Sequence, residues 1–354
     1  MSSSIAIVGA GPAGSMLAYG LAREDKDVII FDYRAPWEKP CGGMLGPKTI
    51  EEHPILASYP YPITACRGIW YISPRSQRRF VPANQPLPVI SRLEFGKFLL
   101  DKAREAGAKF IQQKVANISW DGSKWDIETN HGLYTAALIV GADGATSIVR
   151  KSIVGKIHKE HLSLACGYFL TGIPMEQYII KFLDVQGYLW IFSRADHASA
   201  GIGARLGTTS GKVLFGKLDD FLKEHYPSAT KSKRWAALVP TVQDASFYNQ
   251  PCCGDNWILV GDAAGHVDPA SGEGIYYALQ SAKLAYQSIL KDDLTSYESA
   301  WRATYGHVLR DRAALMQRLT KLAIPFGPTV IGTLLYNYSV GSAKRVSCER
   351  TCPC

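Results

Sequence analysis

Apolar positions follow two periods along this chain. Short unbroken apolar runs at Ser4-Ile5-Ala6-Ile7-Val8, Val28-Ile29-Ile30-Phe31, Leu138-Ile139-Val140 and Trp257-Ile258-Leu259-Val260 have no polar face. They predict strands buried on both sides, as in a parallel sheet covered by helices. A helical period runs from Pro12 to Arg23, from Ser91-Arg92 to near Gly107 with Phe95, Phe98 and Leu99 on one face, from Ile275 to Leu290 and from Ser296 to Leu315, with a shorter helix from Pro47 toward Glu52. Alternation of period two in Ile63 to Pro82, Ala165 to Thr171, Tyr178 to Leu183 and Gly187 to Phe192 predicts a separate antiparallel sheet. Further single strands are expected at Lys109 to Ile118, Trp125 to Thr129 and Gly132 to Val140.

The pattern predicts an α/β fold: a Rossmann-like dinucleotide-binding domain, an inserted antiparallel β-sheet domain on the substrate side, and a helical C-terminal segment. The expected boundaries are 1–60, 90–155 and 250–300 for the first, discontinuous domain, 61–89 and 156–249 for the second, and 301–354 for the C-terminal segment and tail. Leu322 to Ala343 has no formal charge, but Pro325, Gly327, Pro328, Gly332 and Asn337 interrupt it. A cap on the substrate pocket or an interfacial segment suits it better than a spanning helix, with ordinary packing as the plainer alternative.

A formal charge of +8 raises the question of nucleic acid. No run of five or six basic residues is present and acidic residues intervene, so no nucleic-acid partner is expected. A solvated basic surface is the simplest reading, with an anionic cofactor or a membrane surface as the other takers. The first strand runs straight into a glycine turn, leaving no signal peptide, and a cytoplasmic protein is expected, with peripheral membrane contact left open. The eight cysteines follow no framework and read as free thiols. Three of them, Cys348, Cys352 and Cys354, crowd the tail, but no fourth ligand stands near and no metal site is expected.

The chemistry begins at Gly9-Ala10-Gly11-Pro12-Ala13-Gly14, between the first strand and first helix. Gly9 permits the tight turn, Gly11 lets backbone approach a pyrophosphate, and Gly14 lets helix pack on strand. The phosphates then meet the positive end of the helix. Asp32 stands 18 residues beyond Gly14, suited to ribose hydroxyls and hostile to a 2′-phosphate. Tyr33, Arg34 and Val115 are assigned to the same cofactor surface, as is the Asp143-Gly144 turn that brings the chain back to the first domain.

By itself that fingerprint fits NAD, NADP or FAD. The later run Gly261-Asp262-Ala263-Ala264-Gly265, continuing through Pro269 to Gly272-Glu273-Gly274-Ile275, narrows it to FAD. Asp262 suits a ribityl hydroxyl or a water-mediated pyrophosphate contact. The helix opened by Pro269 to Gly274 would turn its positive end to the flavin pyrimidine edge and stabilise negative charge there. Glu273 is read as a cofactor contact or as a plain helix-capping residue. Arg92 is expected to reach the phosphates or ribityl chain. In the loop Lys39-Pro40-Cys41-Gly42-Gly43-Met44, the two glycines allow close approach to a planar ring, and Cys41 is either a proton relay or a small polarisable filler.

These motifs, in this order over most of residues 1–300, resemble the geranylgeranyl reductase family within the FAD-dependent group that also holds the aromatic hydroxylases. The Pro40-Cys41-Gly42-Gly43 block is the one that points to the reductases. Tyr188-Leu189-Trp190-Ile191-Phe192 is similar to the family's Tyr-x-Trp-x-Phe-Pro pattern, with Ser193 where proline is expected. The resemblance implies that Tyr188, Trp190 and Phe192 line a substrate cavity, although an aromatic core strand would show the same alternation. It further implies an oxidoreductase that reduces carbon–carbon double bonds of a prenyl or other hydrophobic substrate. An FAD-dependent monooxygenase and a flavin-binding protein without turnover are the alternatives. Only one dinucleotide unit is visible, so an external donor is expected: NAD(P)H, a ferredoxin or a quinol-type carrier.

Overall fold

A computed structural model describes residues 4–323, 330 and 332–340. Strand β1 (Ile5–Val8), helix α1 (Pro12–Ala22) and strand β2 (Val28–Phe31) form the opening unit, with β1 and β2 parallel. After the short α2 (Pro47–Glu51), the hairpin β3 (Thr64–Ile72) and β4 (Arg78–Val89) leaves the first domain, and α3 (Arg92–Glu105) returns to it. Then follow β5 (Lys109–Ile111), β6 (Val115–Trp120), β7 (Trp125–Thr129), β8 (Gly132–Ala136), β9 (Leu138–Gly141) and α4 (Ile148–Ile153). The second excursion comprises β10 (Leu162–Thr171), β11 (Tyr178–Phe182), β12 (Gly187–Ser193), β13 (Ala198–Arg205), α5 (Gly211–His225) and β14 (Thr230–Pro240). The chain comes back through β15 (Cys253–Gly254), β16 (Trp257–Leu259), α6 (Ile275–Leu290), α7 (Ser296–Trp301) and α8 (His307–Ala323).

One six-stranded sheet has the order β15-β16-β9-β1-β2-β5, parallel except for the β15–β16 pair. Its central strands are apolar at every position, and α1 and α6 pack against each other beside it. A seven-stranded sheet, β14-β10-β13-β12-β11-β3-β4, is antiparallel except where β3 meets β11. Helix α5 covers one face with Leu214, Leu218, Phe221 and Leu222; the other face carries Trp190, Trp235, Phe169 and Phe192 toward the first domain.

Three expectations from the sequence are corrected. Lys109 to Ile118 is two strands, because the polar stretch Gln112-Gln113-Lys114 breaks the run. Gly132 to Val140 is also two: β8 belongs to a small three-stranded sheet, β6-β7-β8, and the chain crosses at Ala137, whose N–H donates to Ser4, into the parallel sheet as β9. The helix expected from Ser296 to Leu315 is interrupted by a π-turn at Arg302–Gly306, where the Trp301 ring lies against Gly306, and it continues to Ala323. Strand β4 also runs past Pro82 to Val89 despite further prolines, which an edge strand tolerates because one of its hydrogen-bonding sides is free.

The tail cysteines, and residues 324–329, 331 and 341–343 of the uncharged 322–343 stretch, lie outside the described residues. Leu335, Tyr336 and Val340 pack with Val81, Phe182 and Met316 on the substrate-side sheet. Among the described residues no helix is long and apolar enough to cross a membrane, and the five described cysteines are free.

Gly201 on β13 faces Trp190 on β12, and a Cβ there would lie 2.1 Å from the indole. Gly201→Ala is therefore expected to destabilise the fold by about 1–3 kcal/mol through overpacking. Urea denaturation checks it; an unchanged midpoint would mean that the indole moves freely.

Candidate functional site

Where β1, β2 and β9 end, a cavity of about 730 Å³ opens. Gly9, Gly11, Pro12, Asp32, Tyr33, Arg34, Arg92, Val115, Asp143, Gly144 and Asp262 all line it. Such a crevice outside the carboxyl ends of parallel strands is where doubly wound sheets bind ligands. Gly9 takes φ +105°, which suits glycine, and a Cβ on Gly14 would lie 1.9 Å from the Gly9 carbonyl oxygen. The missing Cβ of Gly11 faces open space. Gly14, Ala13 and Gly261 do not line the cavity; they pack beneath it, where a Cβ on Gly261 would touch Ala13.

Asp32 braces the turn: its carboxylate accepts N–H bonds from Ala10 (3.0 Å), Arg34 (2.8 Å) and Ala35 (3.1 Å). The Arg34 guanidinium stacks on Tyr33 and Trp37 at 4.8 and 4.5 Å from their centroids. Asp262 is not free, since Lys39 Nζ lies 3.3 Å from its Oδ2. Two buried polar atoms facing this region, Arg92 Nε and Asp143 Oδ1, have no partner in the protein.

A second cavity, of about 380 Å³, follows along the chain from the first: Lys39 and Asp262 line the first, Pro40 to Met44 and Pro269 to Ile275 the second. Its floor is Cys41, Gly42, Gly43 and Met44 with Gly272, Glu273, Gly274 and Ile275; its roof is the sheet face bearing Tyr188, Trp190 and Phe192. Ile69, Ala165, Ile180, Val239, Met316 and Leu335 make the lining mostly apolar, with Ser163, Gln186, Thr241 and Ser271 as further polar groups. Tyr188 Oη donates to the Ser271 carbonyl (2.5 Å), fastening the sheet to the glycine run. Trp190 stacks on Trp235 at 5.8 Å. The planar ring that Gly42 accommodates is the protein's own: a Cβ there would lie 2.7 Å from Phe192. Ser193 also has a structural reason. Its N–H donates to Gln177, and its Oγ accepts from the Gln177 N–H and donates to Pro174, bonds that proline cannot make.

The residues that the sequence did not expose are Glu38 and Arg194. The Glu38 carboxylate accepts from Ser91 Oγ (2.6 Å) and from the N–H groups of Arg92 (2.9 Å) and Leu93 (3.1 Å), so it caps α3 from outside. It also pairs with Arg194, which is 2% exposed and whose Nη2 donates to the Cys41 carbonyl (2.6 Å). Burial pushes the Glu38 pKa up, but Arg194 and the hydrogen bonds outweigh it and leave the carboxyl below its ordinary value. No motif marked either residue; the signal was an arginine just after an apolar strand.

Cys41 Sγ accepts from the Gly43 N–H at 3.3 Å. Burial alone would raise the thiol, yet Arg92, the Gly43 bond and Arg194 hold it below the ordinary range. Glu273 does not cap α6 by hydrogen bonding, which corrects the capping reading: Gly274 is the N-cap and no side chain caps the helix. The Glu273 side chain is open to the cavity but closely enclosed, and this burial, with the Asp268 carboxylate against a weaker Lys48, raises it to about 7.

Comparisons with known proteins agree with this geometry. Residues 7–42 match the model of an NAD(P)-binding Rossmann-like domain. Over 95% of its length the chain is 29% identical to an uncharacterized protein of Methanosarcina barkeri, covering 86% of that protein. It is 27% identical to a menaquinone reductase of Mycolicibacterium smegmatis over 93% of this chain and 88% of the relative. With digeranylgeranylglycerophospholipid reductase 1 of Methanococcoides burtonii it shares 26% over 90% of this chain and 84% of the relative. A geranylgeranyl bacteriochlorophyll reductase-like structure from Thermoplasma acidophilum superimposes with TM-score 0.76 at 20% identity, covering 90% of both chains. The chain is an FAD-dependent oxidoreductase similar to the geranylgeranyl reductases. The same fold is seen in a mutant of halogenase PltM solved with FAD (TM-score 0.67, 16% identity, 98% of this chain and 85% of that one).

The residues present fit FAD. The first cavity offers a helix N-terminus, an open face at Gly11, a spare donor on Arg92 and a spare acceptor on Asp143. Bound there, FAD supplies the two-electron chemistry. The chain's own groups would orient and shield it: Gly274 and Ile275 bring the positive end of α6 to the second cavity, the aromatic roof would exclude water, and Cys41 carries an exchangeable proton at Sγ.

Glu38→Ala leaves Arg194 buried without its counter-charge and is expected to cost about 3–5 kcal/mol, measured by urea denaturation. A loss within the noise would mean that Arg194 finds another partner. For Glu273, the folded pKa lies above the ordinary 4.5, so the protonated carboxyl favours the fold at low pH and that advantage is lost as pH rises through about 7. Flavin-free Glu273→Gln should therefore match wild type in melting temperature at pH 4 and exceed it at pH 8. A difference that does not change with pH would refute the shift.

Proposed function

We propose that this oxidoreductase saturates carbon–carbon double bonds of a prenyl or similarly hydrophobic substrate. The observation that carries the reading is the second cavity, whose apolar lining and aromatic roof at Tyr188, Trp190 and Phe192 suit a chain with few polar groups. Two relatives that align over most of this chain bear names of reductases acting on a lipid and a quinone, which supports the same substrate class. Each saturation needs one hydride and one proton. The hydride comes from reduced FAD, and Cys41, on the cavity floor with a lowered pKa, passes the proton to the adjacent carbon.

Tyr33, Arg34, Val115 and the other residues of the first cavity would hold the adenosine and pyrophosphate portions, and Asp262 with Lys39 the ribityl chain. Gly272 to Ile275 would meet the pyrimidine edge. One dinucleotide unit is present among the described residues, and the flavin would be reduced by a separate donor, for which NAD(P)H, a ferredoxin and a quinol are the classes to try.

The test is anaerobic. Flavin reduced chemically on the enzyme should reoxidise when geranylgeranyl lipid or menaquinone is added, yielding a product two mass units heavier per bond. Cys41→Ser should keep its flavin and slow this step by about 10²–10⁴-fold. Reoxidation only by oxygen, with a hydroxylated product, would make the protein a monooxygenase; stable reduced flavin across the substrate panel would leave it without this activity.

A further inference from the structure

Trp70 and Phe80 stand exposed side by side, 45% and 44% accessible, with ring centroids 5.3 Å apart. They pair directly across β3 and β4 at the outer edge of the seven-stranded sheet, on the same face as Arg78. Two large apolar rings kept in water at one place suggest a partner that removes them from it.

The charge around them is one-sided. Arg67, Arg75, Arg78 and Arg79 are all exposed, and none forms an ion pair among the described residues. Between Glu52 and Glu94 the chain has no acidic residue, while it has five arginines. The mixing of charges read over the whole sequence fails here. The partner is therefore anionic as well as partly apolar.

The edge itself argues against another β-strand as that partner. Pro82, Pro86 and Pro88 supply no N–H groups, and arginines flank the turn, which together block regular strand addition. Aromatic rings beside arginines are instead the composition of a segment lying at a bilayer surface, where the rings settle among headgroups and the cations meet lipid phosphates. The hairpin also borders the active site. On the face opposite the two rings, Ile69 lines the second cavity, Tyr71 and Val81 pack with Leu335, which lines it too, and Pro74 at the turn approaches Gly332.

We propose that the β3–β4 hairpin docks the protein on an anionic lipid surface. Trp70 and Phe80 enter the headgroup layer, Arg75, Arg78 and Arg79 at and beside the turn pair with phosphates, and the hairpin's other face, which carries Ile69, brings the second cavity close to the lipid that holds the substrate. The docking stands on the hairpin itself; only the identity of what is delivered rests on the proposed reductase reading.

The test uses the flavin-loaded full chain, sedimented with vesicles of phosphatidylcholine alone and of phosphatidylcholine mixed with phosphatidylglycerol, without substrate. Binding is expected on the anionic vesicles only, with release at high salt. The triple variant Arg75→Gln, Arg78→Gln, Arg79→Gln should lose roughly 100-fold in partitioning. The double variant Trp70→Ser, Phe80→Ser should lose about tenfold or more. Both variants should keep bound flavin, which shows that they fold. Equal retention on neutral vesicles, or undiminished binding by the triple variant, overturns the docking, as does binding of an acidic protein such as a ferredoxin with none to vesicles. Vesicle binding without any reduction of prenyl lipids supports the docking and counts only against the reductase reading; turnover in detergent with no vesicle binding overturns the docking alone.

Discussion

One carboxylate joins the parts of this protein. Glu38 sits where the first domain, the cysteine loop and the substrate-side sheet meet: α3 donates to it through two backbone N–H groups, the sheet donates through Arg194, and the loop is tied in because Arg194 also donates to the Cys41 carbonyl. A buried ion pair of this kind is costly to desolvate and adds little stability by itself. Its value here is positional. Because Arg194 is almost fully enclosed, it accepts few arrangements, and the loop that separates the two cavities is held with it.

The active-site region shows the same economy at close range. The Gly42 position is filled by the Phe192 ring and the Gly43 N–H bonds Cys41 Sγ, so the loop is shaped from within before any ligand arrives. Arg92, whose backbone meets Glu38, lowers the Cys41 thiol and keeps one donor unpaired toward the first cavity. One side chain thereby reaches both the first cavity and the thiol. Preorganised donors of this sort cost nothing to reorganise when charge develops.

The two cavities differ as their contents require. The first is built from backbone turns, a helix end and charged groups, which suit a charged, polar ligand. The second is built from the inner face of an antiparallel sheet, whose alternation delivers side chains to one surface at period two. Placing the second domain as an insertion lets its sheet close over the end of the first, and Tyr188 bonded to Ser271 fastens that closure.

Much of this was legible in the chain. Unbroken apolar runs marked the parallel strands, and the spacings of Gly9, Gly11 and Asp32, then of Asp262, gathered residues that line one crevice, with Gly14 and Gly261 packed beneath it. These are local rules: a strand buried on both faces and a turn against a phosphate each restrict residue type at their own positions. What was not legible was decided across distance. Glu38 meets Arg194 over 156 positions, and Lys39 meets Asp262 over 223. Neither pair leaves a periodicity, because an ion pair demands only that two side chains arrive together. The break of β8 from β9 at Ala137 and the π-turn after Trp301 were hidden likewise, since local propensity continues through both and only packing against a second sheet or a buried ring diverts the backbone. Sequence thus determined which elements form and which residues suit a dinucleotide; tertiary structure decided which charges meet, because burial and proximity belong to the folded chain alone.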